Sequence, residues 1–148
     1  MRNTIILAAS LAFTAAACSN PVSPSDHPEA GGVVIMQAGT STVLSTSVGS
    51  LTAFNLAITL AAGESLEVEV LFLDASNPSD LTKAFHPREE DGESLRAVVA
   101  NSSIVEYHGH GDHGDFDAVA AGQTTVVFQL MHGSHADFVS GPLTVIVN

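Results

Sequence analysis

The sequence predicts an all-β domain, an antiparallel sandwich of about seven to nine strands. Apolar residues alternate with polar ones at a period of two: Leu66, Val68 and Val70 face one way, Glu67 and Glu69 the other. The apolar runs are short and closely punctuated by Gly, Asn, Asp and Pro, the residues of turns. No stretch beyond residue 32 carries the 3.6-residue period of an amphipathic helix, and no internal repeat is evident.

Before the domain comes an export signal. Met1-Arg2-Asn3 is short and positive, and Thr4 to Ala16 is nearly all apolar. That run is shorter than the roughly 20 residues a membrane-spanning helix needs. It leaves through Ala15-Ala16-Ala17-Cys18, and charge, apolar run and small-residue exit together read as a secretory signal over 1–17. The exit resembles the lipobox of bacterial lipoproteins, although Ala15 stands where that family prefers leucine. The resemblance implies that Cys18 is lipidated with palmitate-type acyl chains and anchors the chain in the bacterial cell envelope. Ser19 after the cysteine implies the outer rather than the inner membrane. Plain cleavage after Ala17, leaving a free thiol, is the alternative. A lone thiol suits an oxidising compartment poorly, and Cys18 is the only cysteine.

Residues 18–32 are rich in Pro, Ser and Gly and read as a flexible linker. The segment 33–148 has the size of one domain. Val33 to Gln37 and Thr42 to Ser47 supply one or two edge strands, and Leu51 to Leu60 reads as a strand closed by Ala61-Ala62-Gly63. Further strands are expected over 64–73, 95–100, 103–107, 116–120, 124–131 and 143–147. The long connection 74–94 contains Asp74 to Asp80, read as Asx-turn chain, and Glu89 to Glu93, read as a solvated acidic turn.

Two segments resemble the bacterial immunoglobulin-like domain of group 2. Val99-Ala100-Asn101-Ser102-Ser103-Ile104-Val105 is similar to that family's first signature, and Ala118 to Val126 (AVAAGQTTV) to its closing one. Ala62-Gly63-Glu64-Ser65-Leu66 is similar to its opening. These are turn glycines and core positions, so the resemblance implies an Ig-like sandwich and no single activity. The chain departs from the family in its 74–94 insertion and in its histidines.

Six of the seven histidines lie in the domain: His86, His108, His110, His113, His132 and His135. Successive antiparallel strands reverse direction. The connections after residues 73, 107 and 131 therefore emerge at one end, and those after 100 and 120 at the other. All six fall at or beside the first three. Neutral imidazole ligates Zn, Cu, Ni and Fe, and Asp adds oxygen donors. The expected metal ligands are His108, His110, His113, His132, His135 and Asp137, with His86, Asp112 and Asp115 as weaker candidates. The 108–115 segment (HGHGDHGD) is read as a Gly/Asp-rich loop, and a soluble loop without ligand or a weak nonspecific tract stays open as a reading.

Composition narrows the function. The formal net charge is −12, or −13 once Arg2 leaves with the signal, and only Lys83, Arg88 and Arg96 remain basic. Nucleic-acid binding is excluded by the lack of Lys and Arg clusters, while such a surface attracts cations. The expected function is an envelope lipoprotein that captures, buffers or delivers Zn or Cu, held to the membrane by its lipid and meeting a transporter or receptor protein there. The alternative is a structural or adhesion module that docks an envelope partner without metal. No enzyme is expected. His108-Gly109-His110 on an Ig-like sandwich is faintly similar to the copper–zinc superoxide dismutases, but their intradomain disulfide is missing and neither Arg88 nor Arg96 matches their active-site arginine. A blue-copper site needs a Cys ligand, and Cys18 is used elsewhere.

Overall fold

A computed structural model describes residues 28–111 and 113–148. The export signal, Cys18, most of the linker and Asp112 lie outside the described residues. The described chain is an all-β sandwich with ten strands: β1 (Ala30–Gln37), β2 (Val43–Val48), β3 (Ile58–Leu60), β4 (Ser65–Asp74), β5 (Glu93–Val99), β6 (Val105–His110), β7 (His113–Ala118), β8 (Gly122–His132), β9 (His135–Val139) and β10 (Leu143–Val147). One sheet runs β2-β1-β4-β7-β6; the other runs β3-β10-β8-β5, with β9 also on β8. The order β1-β4-β7-β6 against β10-β8-β5 is that of an immunoglobulin-type sandwich, and the short β3 joins β10 in parallel. Among the described residues, no helix is long and apolar enough to cross a membrane.

Strand periodicity builds the core. Val68, Val70 and Phe72 of β4, Phe116 and Ala118 of β7, and Val126, Phe128 and Leu130 of β8 all point inward and are buried. At the centre the rings of Tyr107, Phe116 and Phe128 meet with centroids 5.2 to 6.4 Å apart, mostly edge to face. Each such pair adds about 0.5–1.5 kcal/mol beyond area burial.

Several expected boundaries move. The first strand opens at Ala30, inside the segment read as linker. Of Leu51 to Leu60 only Ile58–Leu60 is strand. The preceding residues cross between sheets, where the Leu51 and Gly141 N–H groups donate to Val139 O and Thr52 O at 3.0 and 3.1 Å. A Cβ on Gly141 would lie 2.2 Å from Thr52 backbone, so this crossing needs glycine. Glu93 is not solvated: it is buried and accepts the Arg88 N–H at 3.0 Å. The 74–80 chain does form Asx turns, with the Ser76 N–H donating to Asp74 Oδ1 at 2.7 Å and the Thr82 N–H to Asp80 Oδ1 at 3.1 Å.

The largest correction concerns 108–115. Residues 108–110 and 113–115 are not loop but the facing ends of β6 and β7, in regular register from Val105↔Ala118 to His110↔His113. Gly109 and Gly114 serve contact with Tyr107, while Gly111 takes a positive φ of 73°. Gly114 is buried beneath the Tyr107 ring, and a Cβ there would sit 2.6 Å from Tyr107 Cζ and 2.6 Å from His108 O.

Candidate metal centre

Strand parity places the 75–92 connection, the β6–β7 turn and the β8–β9 turn at one end of the sandwich, as expected. In β8 the inward series Val126, Phe128, Leu130 ends with His132, where the core meets solvent. Gly133 then takes φ 58°, which opens the two-residue turn. His135 starts β9 directly opposite His132. By strand period Asp137 shares the side of His135. Phe138 is nevertheless also turned inward and buried, opposite Leu130. Two consecutive residues share a side because the register slips between Leu130 and Met131, leaving Asp137 as the extra residue of a β-bulge.

The bulge closes a three-residue cluster. Asp137 Oδ1 lies 2.9 Å from His135 Nε2, and its Oδ2 lies 3.3 Å from His132 Nδ1. The two imidazole centroids are 5.5 Å apart, inclined by 32°. One donor atom from each residue lies within 4.8 Å of the other two. Among the described residues, this is the group of His, Cys, Asp or Glu that meets so closely. The 88–93 segment backs it: the Gly133 N–H donates to Gly92 O at 3.0 Å, and Glu93 faces His132 across the β5–β8 ladder.

The donor set fits a transition metal. Zinc bonds of about 2.0–2.2 Å in tetrahedral array put donor atoms roughly 3.3 Å apart. Both contacts to Asp137 are already near that spacing. Two imidazoles and a carboxylate leave one tetrahedral position open, and the same donors suit copper. All three side chains lie at least a third exposed, so an ion can enter without opening the fold.

The other expected ligands among the described residues form a second array. On the outer face of β6 and β7 the alternation exposes Glu106, His108 and His110 opposite Asp117, Asp115 and His113. His108 Nε2 sits 3.3 Å from Glu106 and 3.4 Å from Asp117, while His110 Nε2 lies 3.6 Å from Asp115 Oδ2. Glu69 of β4 stands beside His113 in the ladder and was missed by sequence reasoning, although its place in the Leu66–Val70 alternation marked it as outward. His86 reaches this array through the 75–92 connection. β7 begins opposite Glu69, so the edge of β4 beyond it is open, and Phe85 fills it with two reciprocal backbone hydrogen bonds to Phe72 at 2.8 Å. His86 Nε2 then lies 3.2 Å from Glu69 Oε1. The structure thus gathers His132, His135 and Asp137 in one hairpin, and His110, His113 and Asp115 in another. His108 pairs lower down the strand.

No protein-family model matches the sequence, and no curated protein matches it. A solved structure, domains 4 and 5 of the S-layer protein SbsC, is similar over 63% of this chain and 47% of that one, at 13% identity and a TM-score of 0.43. This chain therefore spans less than half of that one. A likeness at this level carries no functional inference.

Proposed function

We propose that the protein captures a divalent transition metal, zinc first and copper second, at the β8–β9 hairpin, and does so as a lipid-anchored component of the bacterial envelope. One observation carries the metal reading: His132, His135 and Asp137 converge to within 4.8 Å at a strand end, where a bulge leaves Asp137 as the extra residue. The anionic chain favours cation entry, and with the only cysteine at position 18 the site is built from imidazole and carboxylate. The envelope reading rests on the apolar signal ending at Cys18 and on the resemblance to group 2 bacterial Ig-like domains. Binding and handing on an ion needs no catalytic step, and a transporter or receptor protein is the receiver this reading implies.

Isothermal titration of the full-length chain with zinc and copper chlorides tests the site. The wild type is expected to bind, and the His132→Ala/His135→Ala variant to lose at least about tenfold in affinity, since removing ligands does more than removing the outer-shell partners that cost 10–100-fold. Equal affinity in both would sink the assignment. It would leave the hairpin end as a docking surface for an envelope partner.

A further inference from the structure

Contrary to the expectation of no internal repeat, the two hairpins at this end carry the same seven-residue pattern. Residues 110–116 read HGDHGDF and residues 132–138 read HGSHADF, identical at five positions. The structural roles coincide. His110 and His132 each end a strand; Gly111 and Gly133 each take positive φ, at 73° and 58°. His113 and His135 each open the return strand as direct cross-strand partners of the first His. Phe116 and Phe138 are both buried in the core. Between second His and Phe stands Asp115 or Asp137.

The two hairpins differ in which face the imidazoles take, and each difference keeps the aspartate with them. In β8–β9 the pair lies on the core side of the sheet, so a bulge is needed for Asp137 and Phe138 to share that side. In β6–β7 the pair lies on the outer side. There the regular ladder suffices: Asp115 points out with His113, and Phe116 points in. The imidazole centroids are 6.1 Å apart in β6–β7 and 5.5 Å in β8–β9. Two imidazoles on one tetrahedral ion stand roughly 5 Å apart, given bonds of about 2.0–2.1 Å. His110 is 60% exposed, so rotation of its side chain can close that gap.

We propose that His110, His113 and Asp115 form a second site for a divalent transition metal, with Glu69 as the adjoining carboxylate, so that each chain takes two ions, one per hairpin. The proposal rests on the reading of the β8–β9 hairpin for its chemistry and on the repeated pattern for its place. Its exposed position and its wider donor spacing make it the weaker, faster-exchanging of the two. His86, held against Glu69, lies at its margin.

The test is native mass spectrometry and calorimetry of the full-length chain with zinc chloride, carrying Cys18→Ser so that no thiolate competes. The parent is expected to bind two ions. His110→Asn/His113→Asn and His132→Asn/His135→Asn should each bind one, and the fourfold variant none. Asp115→Asn should weaken the second step by about tenfold or more and leave the first unchanged, which an unstructured histidine tract would not do. A metal-free melting temperature equal to the parent's verifies that each variant is folded. If the parent binds one ion, lost in His132→Asn/His135→Asn and kept in His110→Asn/His113→Asn, the second site is overturned and the first stands. If the parent binds no zinc, both fall.

Discussion

At the scale of single residues, contacts that admit no extra atom fix the frame of the two hairpins. Gly114 lies between His113 and Asp115, under the Tyr107 ring. Gly114→Ala places a Cβ into ring and backbone and is expected to cost about 1–3 kcal/mol, as overpacking does. Urea titration should show a lower midpoint at unchanged slope. Gly109→Ala is the control, since its nearest contact, Tyr107 Cε1, is 3.3 Å away and the loss should be smaller. Ser140 is a second such point. Its buried hydroxyl accepts the Phe128 N–H at 2.9 Å and donates to Gly141 O at 2.8 Å where β9 gives way to β10. Ser140→Ala leaves that N–H unsatisfied and should lower stability by about 1–3 kcal/mol in the same assay. Asp80 acts at the surface. Its hydrogen bonds from the Thr82 hydroxyl and N–H hold its carboxyl below the usual carboxylate range. A depressed folded pKa means stability present above the unfolded value, about 3.9, and lost as pH falls through the folded one. Asp80→Ala should therefore melt below wild type at pH 7, and the difference should shrink to nothing in strong acid.

At the scale of elements, the β8–β9 bulge separates what the fold needs from what the site needs. Deleting Asp137 makes the ladder regular and keeps Phe138 opposite Leu130, because Met131 already pairs with Ala136. The deletion variant is expected to fold, with a melting temperature near wild type and no zinc binding at this hairpin. Unfolding instead would mean that the bulge serves the sandwich. The same element shows why part of the site was illegible in the sequence. A bulge is a property of pairing, and the residues 135–139 alternate too weakly to announce β9. In 108–115 the glycines read as loop chemistry, whereas Tyr107 covers Gly114 and lets the ladder run to His110. Where alternation is strong, as in β4, β8 and β10, the strands are where periodicity put them to within a residue or two. Parity of those strands sufficed to place all six domain histidines at one end. It could not show that five of them divide between two hairpins while His86 stands in the 75–92 connection, because parity fixes an end and not a partner.

At the scale of the whole molecule, the two proposed sites at one end would couple metal to stability. The sandwich has no disulfide, since the chain has one cysteine, so its stability comes from the apolar core and from whatever the native state binds. A ligand that binds only the folded state stabilises it by RT ln(1 + [L]/Kd), about 2.7 kcal/mol for one site at a hundred times Kd. For a domain of this size that corresponds to a rise in melting temperature of roughly 5–15 °C. The imidazoles must be neutral to ligate, so protons compete with the ion and the rise should fade as the medium is acidified. Differential scanning calorimetry of the full-length chain, with and without zinc, at neutral and mildly acidic pH, measures this. The expected result is a large shift at neutral pH, reversed by a chelator and diminished in acid. Because the ligands join strand to strand within single hairpins, a shift that survives in the fourfold histidine variant would mean that zinc acts elsewhere on the acidic surface. In that case neither hairpin is the source of the coupling.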